Sequence, residues 1–100
     1  KSNRKLKEMD AVEVERRFNE IYTDLANIRH IDPASEEVQR GIHKWFVFLN
    51  EIGDYSLEAF KSLGDMYVED ERFKKNIDKF GTGLAKFMRQ AMTAYYEQNK

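Results

Sequence analysis

Apolar residues recur along the first third of the chain at the spacing of a helix face. Val14, Phe18, Ile21, Leu25 and Ile28 follow one another at intervals of four and three, which lays them on one stripe of an amphipathic helix. The pattern predicts a first helix from about Lys5 to Arg29, with Glu13 and Arg17 placed to pair at i,i+4. Upstream lies a polar, basic start with Lys1, Arg4, Lys5 and Lys7. Residues 1–10 are therefore expected to be a linker or the end of an upstream helix, and residues 11–100 the domain proper. Asp32-Pro33-Ala34-Ser35 stops the first helix, because proline disfavours helix in the residue before it and Ser35 can cap the next helix.

A second helix carries Val38, Ile42, Trp45, Phe46, Leu49 and Ile52, with Gly53 as its stop. Its centre, Trp45-Phe46-Val47-Phe48-Leu49, is apolar without interruption. Such a run covers more than one turn, so this helix is expected to be wrapped on two or more sides or to line a groove. Ser56 opens a third helix bearing Leu57, Phe60, Leu63 and Tyr67, and Gly64 inside it predicts a close backbone crossing. Asp70 can cap a short fourth helix with Phe73, Ile77 and Phe80. Thr82, in the break Gly81-Thr82-Gly83, is the expected cap of a fifth helix with Leu84, Phe87, Met88, Ala91 and Tyr95. No segment alternates at period two long enough to be a strand. The fold class is all-α, with about five helices.

Composition narrows what such a domain can do. At 100 residues, 41% hydrophobic and 35% charged, the chain suffices for one modest core. A net charge of -1 argues against a domain that grips a phosphate backbone, so no direct contact with nucleic acid is expected. No apolar run approaches a membrane span, no signal-peptide pattern is visible and there is no cysteine. Those features together predict a cytoplasmic protein, and the start at Lys1 predicts a piece of something longer.

The catalytic inventory is thin. His30 and His43 are the only histidines and form no metal-binding pair at helical spacing. His43, just ahead of the aromatic run, suits a polar contact at a groove mouth. The carboxylates Glu36, Glu37, Glu69, Asp70 and Glu71 stand at predicted helix starts, where caps and the helix dipole account for them. Neither a phosphate-binding glycine loop nor a nucleophile elbow is present. The reading is non-enzymatic, with no cofactor and no metal. Thirteen aromatic residues are the richer signal. Most of the phenylalanines, among them Phe18, Phe46, Phe60, Phe73, Phe80 and Phe87, are expected to fill the core. Trp45, Tyr55, Tyr67 and Tyr95 carry polar atoms that suit a pocket wall for large apolar ligands.

From about Ile21 to Tyr96 the order of residues resembles a known family. The carriers are Leu25-Ala26 before Asp32-Pro33, Ser35-Glu36-Glu37-Val38-Gln39, His43-Lys44-Trp45 and Leu63-Gly64-Asp65-Met66-Tyr67-Val68. The most specific is Tyr67-x-x-Asp70-x-Arg72-Phe73, followed by Ile77-Asp78, Gly83-Leu84-Ala85 and Ala91 leading to Tyr95. The chain resembles the TipAS-type drug-recognition domain, the C-terminal effector module of a branch of MerR-family transcription activators. The resemblance implies a globin-like arrangement of helices around a cleft for bulky lipophilic drugs or antibiotics. It also implies a DNA-binding winged helix-turn-helix and a dimerising helix ahead of this module, with homodimers in the full-length protein. Trp45, Tyr55, Phe60, Met66 and Tyr67, flanking the second and third helices, become candidate ligand contacts together with His43. Asp70 is expected to act as a helix cap and Arg72 as a clamp between helices.

Some members of that family capture electrophilic antibiotics through a cysteine in the loop before the third helix. Here that stretch reads Gly53-Asp54-Tyr55-Ser56, so binding is expected to be reversible. The alternative from another class is a helical protein–protein interaction module whose aromatic groove receives a partner's helix.

Overall fold

The computed structural model describes residues 11–100; the expected linker over residues 1–10, and the start of the first helix at Lys5, lie outside the described residues. Within them the chain forms five helices and no strand: α1 (Ala11–Asn27), α2 (Glu36–Ile52), α3 (Leu57–Glu69), α4 (Glu71–Asp78) and α5 (Leu84–Asn99). None is long and apolar enough to cross a membrane.

The helix ends reflect local chemistry at most junctions. α1 stops two residues before the expected Arg29, because the chain tightens into short-range turns in which Ile28 N–H donates to Leu25 C=O and Arg29 N–H to Ala26 C=O. Asp32 Oδ1 then accepts from Ala34 N–H at 2.9 Å and fixes the turn around Pro33. Ser35 Oγ receives Val38 N–H at the head of α2, and Ser56 Oγ receives Ala59 N–H at 3.1 Å at the head of α3. Gly53 ends α2 in extended backbone, which any residue adopts. Its smallness serves Tyr55 instead: a Cβ at Gly53 would stand 2.9 Å from that ring.

Asp70 Oδ1 accepts from Arg72 N–H at 2.9 Å and caps α4 as expected. Thr82 does not cap α5. Gly83 occupies that position at φ 82°, and the carboxylate that reaches the helix comes from α4, where Asp78 Oδ1 accepts from Ala85 N–H at 2.9 Å. Arg72 is no clamp. Its side chain is 92% exposed, and among the described residues its ion pair is with nearby Asp70, at 3.8 Å. The staple between distant parts of the chain is Arg29, which donates to Thr82 C=O at 3.0 Å and to Ala26 C=O.

Buried hydrophobic residues concentrate on α5, with Leu84, Ala85, Phe87, Met88, Ala91, Met92 and Tyr95, and the other helices are laid around it. α3 lies closest. A Cβ at Gly64 would come within 3.3 Å of Met92 Cβ and 3.4 Å of Arg89 Cα, so the predicted close crossing is with α5, locked at its edge by Arg89 to Asp65 at 3.0 Å. Phe60 and Phe87 are core, as expected, whereas Phe73 is 39% exposed, its ring tilted against Tyr67 with centres 6.0 Å apart.

Candidate functional site

The apolar run at the centre of α2 is divided between two neighbourhoods. Trp45 and Phe48 turn one way, toward α1 and the residues after α4. Phe18 meets Trp45 edge-on at 5.3 Å and Phe48 at 5.1 Å, while Tyr22 bridges Trp45 and Phe80 at 5.2 Å each. Arg17 covers this cluster, its guanidinium 4.7 Å from the Phe48 ring and 3.8 Å from Glu51. Trp45 and Phe48 have no exposed surface.

Phe46 turns the other way, toward α3 and α5, with ring centres 5.0 Å from Phe60 and 5.5 Å from Tyr95. Val47 is left 43% exposed between the two groups. The expectation that α2 is wrapped on more than one side is met.

The interior side holds polar atoms with few partners. The indole N–H of Trp45 is buried without a completed hydrogen bond, although it lies near enough to Tyr67 to favour that residue's phenolate. Burial outweighs this and pushes the Tyr67 hydroxyl well above the ordinary phenol pKa, with Tyr22 and Tyr55 adding to the effect. Tyr22 is raised as well, again by burial. These groups stay neutral across the physiological range and offer polarity without charge.

On the other side of α2 the surface opens. Glu36, Gln39, Arg40, His43 and Lys44 on α2, Tyr95 and Gln98 on α5, and Ala34 before α2 line a cleft of about 590 Å³, within the range of ligand-sized clefts. Steps of three and four along α2 bring its five residues to one face, and Tyr95 and Gln98 are likewise three apart on α5. His43 Nδ1 and the Tyr95 hydroxyl stand 2.8 Å apart, and burial raises the Tyr95 phenol. Gln39 Nε2 donates to Pro33 C=O at 2.8 Å and to Ala91 C=O at 3.1 Å, and Gln98 Nε2 donates to Ala34 C=O at 3.4 Å. Two cations, Arg40 and Lys44, face one carboxylate, Glu36, around the rim.

The six residues expected from the sequence do not converge on this cleft. His43 lines it. Phe60 reaches it from behind through Tyr95, ring centres 5.6 Å apart, but is itself fully buried. Trp45 and Tyr67 belong to the interior side of α2. Tyr55 is half-buried beside the α2–α3 turn, its N–H held by Asn50 Oδ1 at 2.9 Å, and Met66 is 44% exposed on α3. Of the other lining residues, Tyr95 is expected from the sequence only as a pocket wall, and Ala34, Glu36, Gln39, Arg40, Lys44 and Gln98 are not among the expected contacts. Their signal was the four-residue ladder Glu36, Arg40, Lys44 beside Gln39, His43, and the polar tip of Tyr95 at the matching end of the last helix.

The described residues contain no cluster of side chains able to hold a metal ion. The described residues thus form a small all-α domain with an open cleft, a paired histidine and tyrosine at its floor and mixed charges at its rim. The chain belongs to the TipAS family: the model of the TipAS antibiotic-recognition domain matches residues 1–95. It is 32% identical over 87 residues to the HTH-type transcriptional activator mta of Bacillus subtilis, a match covering 83% of this chain and 33% of that protein. It is 51% identical over 41 residues to the HTH-type transcriptional activator TipA of Streptomyces coelicolor, covering 41% of this chain and 16% of that one. The chain thus spans about a third or less of the length of these relatives. No solved structure matches it.

Proposed function

We propose that this domain is the effector-binding module of a MerR-type transcription activator, and that it binds bulky lipophilic drugs or antibiotics reversibly in the cleft between α2 and α5. The observation that carries this reading is the cleft itself: ligand-sized, walled by two helices, with Tyr95 and His43 paired across it. Membership of an antibiotic-recognition family supports the ligand class, and relatives that are transcriptional activators support the regulatory setting.

The domain acts by binding and without a cofactor. A ligand that prefers one of two conformations of the cleft shifts their populations, and that shift is what a linked DNA-binding part can read. Contact with DNA belongs to that part, in a cytoplasmic homodimer, and control of multidrug-resistance transcription results from it. Of the residues expected to contact ligand, His43 does so directly. Phe60 supports Tyr95 from behind, Trp45 and Tyr67 hold α2 in place, and Tyr55 and Met66 lie outside the lining of the cleft. With no cysteine in the chain, the complex is non-covalent.

The test is a thermal-shift panel of hydrophobic drugs and thiopeptide antibiotics on the 100-residue domain. Binding to the native state alone raises the melting temperature by mass action. Several structurally unrelated compounds are expected to do so, each dissociating intact on denaturation. A flat response across the panel, combined with a shift by amphipathic helical peptides, would replace this reading with a protein–protein interaction module.

A further inference from the structure

Gln39 is a cleft residue whose polarity is set on two sides by its surroundings. Its Nε2 donates to two backbone carbonyls, Pro33 on one side and Ala91 on the other. Carbonyls only accept, so the amide has a single workable orientation and cannot turn over to suit a ligand. The same constraint strands the other end: Gln39 Oε1 is buried and has no hydrogen-bond partner. An acceptor left unpaired is costly, and a group that supplies the missing donor recovers that cost on binding.

Resting on the reading of this cleft as the ligand site, we propose that Gln39 is its specificity-determining residue and that the cleft selects ligands presenting an N–H or O–H donor beside an apolar ring. The ring packs on Tyr95, and the donor completes Gln39 Oε1. Because that oxygen has no exposed surface when the cleft is empty, engagement includes a small displacement of the wall. The amide is held from behind by Pro33 and Ala91. The part that gives way is the Gln98-to-Ala34 hydrogen bond, at 3.4 Å the longest of those joining α5 to this region. A compound of the same shape without a donor leaves the acceptor unpaired and has nothing to offset that displacement.

Indole and benzothiophene are suitable probes, being bicyclic rings of similar size of which only indole has an N–H. Their titration is followed by chemical-shift mapping that includes the Gln39 side-chain amide. The expected result is binding of indole about tenfold tighter than benzothiophene, with the Gln39 amide signals moving only for indole, and loss of that preference in Gln39→Met. Equal affinity of the two rings for the cleft of the unaltered protein would overturn the proposal and leave the cleft as a ligand site. So would a preference that survives in Gln39→Met. If neither ring perturbs His43 or Tyr95, the cleft reading falls together with it. The comparison within the unaltered protein decides the question even if Gln39→Met fails to fold.

Discussion

The two faces of α2 are built from similar residues and finish differently. Toward α1, Trp45 and Phe48 meet Phe18, Tyr22 and Phe80, and the cluster closes with no exposed surface on its two largest members from α2. Toward α5, Phe46 and Phe60 also pack ring against ring with Tyr95. There the next side chain out is His43, hydrogen-bonded at 2.8 Å and bordering open space. Aromatic content alone therefore does not tell the two faces apart. On the reading proposed above, the face that recognises is the one whose aromatic floor ends in a paired polar tip and a mixed-charge rim, while the other fixes the helix from which that rim projects.

The largest effect expected from this contrast is at Trp45. Trp45→Ala should destabilise the domain by ~3–5 kcal/mol in urea unfolding, the range for removing a large buried aromatic ring, and domains of this size have little more to lose. Trp45→Phe, which keeps most of the packing, should leave the thermal-shift response to panel compounds in place. Loss of all response in a folded Trp45→Phe protein would move the site to the closed face.

Alkaline pH should act next, and through both faces. The phenols of Tyr67, Tyr22 and Tyr95 have pKa values raised by burial. A phenol raised in the folded state contributes stability that is fully present below its unfolded value of about 10 and is lost as pH rises through the folded value. The melting temperature should hold across neutral pH and fall above about pH 10, with Tyr67→Phe reducing that fall most. A melting temperature that stays level to pH 11 would contradict the burial assigned to these hydroxyls.

A smaller effect is expected at the open face. Tyr95→Phe removes the partner of His43 Nδ1 and should cost about 1 kcal/mol of stability, with weaker binding of panel compounds measured by calorimetry. Smallest of all is Arg72→Ala, a change at an exposed side chain whose ion pair with Asp70 lies at 3.8 Å. It should stay within about 0.5 kcal/mol of the parent in the same urea titration. A larger loss would restore the clamp expected of Arg72 from the sequence.

The parts of this fold legible in the sequence are those decided within one turn of backbone. Ser35, Ser56 and Asp70 cap as their positions suggest, because a cap binds an N–H two or three residues ahead. Thr82 looked equivalent, yet the carboxylate that serves α5 comes from Asp78, seven residues before the N–H it accepts and on the preceding helix. The run from Trp45 to Leu49 announced a helix covered on two sides. Which ring goes to which side depends on where α1 and α5 lie, and no spacing within α2 encodes that. The cleft was hidden for the same reason: His43 meets Tyr95, and Gln39 meets Ala91, across 52 residues of chain. Arg72 and Phe73 show the converse. They match the family signature, and the structure leaves both largely at the surface.

The most direct measurement is amide and side-chain chemical-shift mapping with whichever panel compound most raises the melting temperature. Recognition at the open face predicts the largest shifts at Gln39, His43, Lys44, Tyr95 and Gln98, with Phe18, Tyr22 and Phe80 little changed. Large shifts at Phe18, Tyr22, Trp45 and Phe80 while His43 and Tyr95 stay still would contradict it, and would make the closed aromatic cluster the place where this domain takes its ligand.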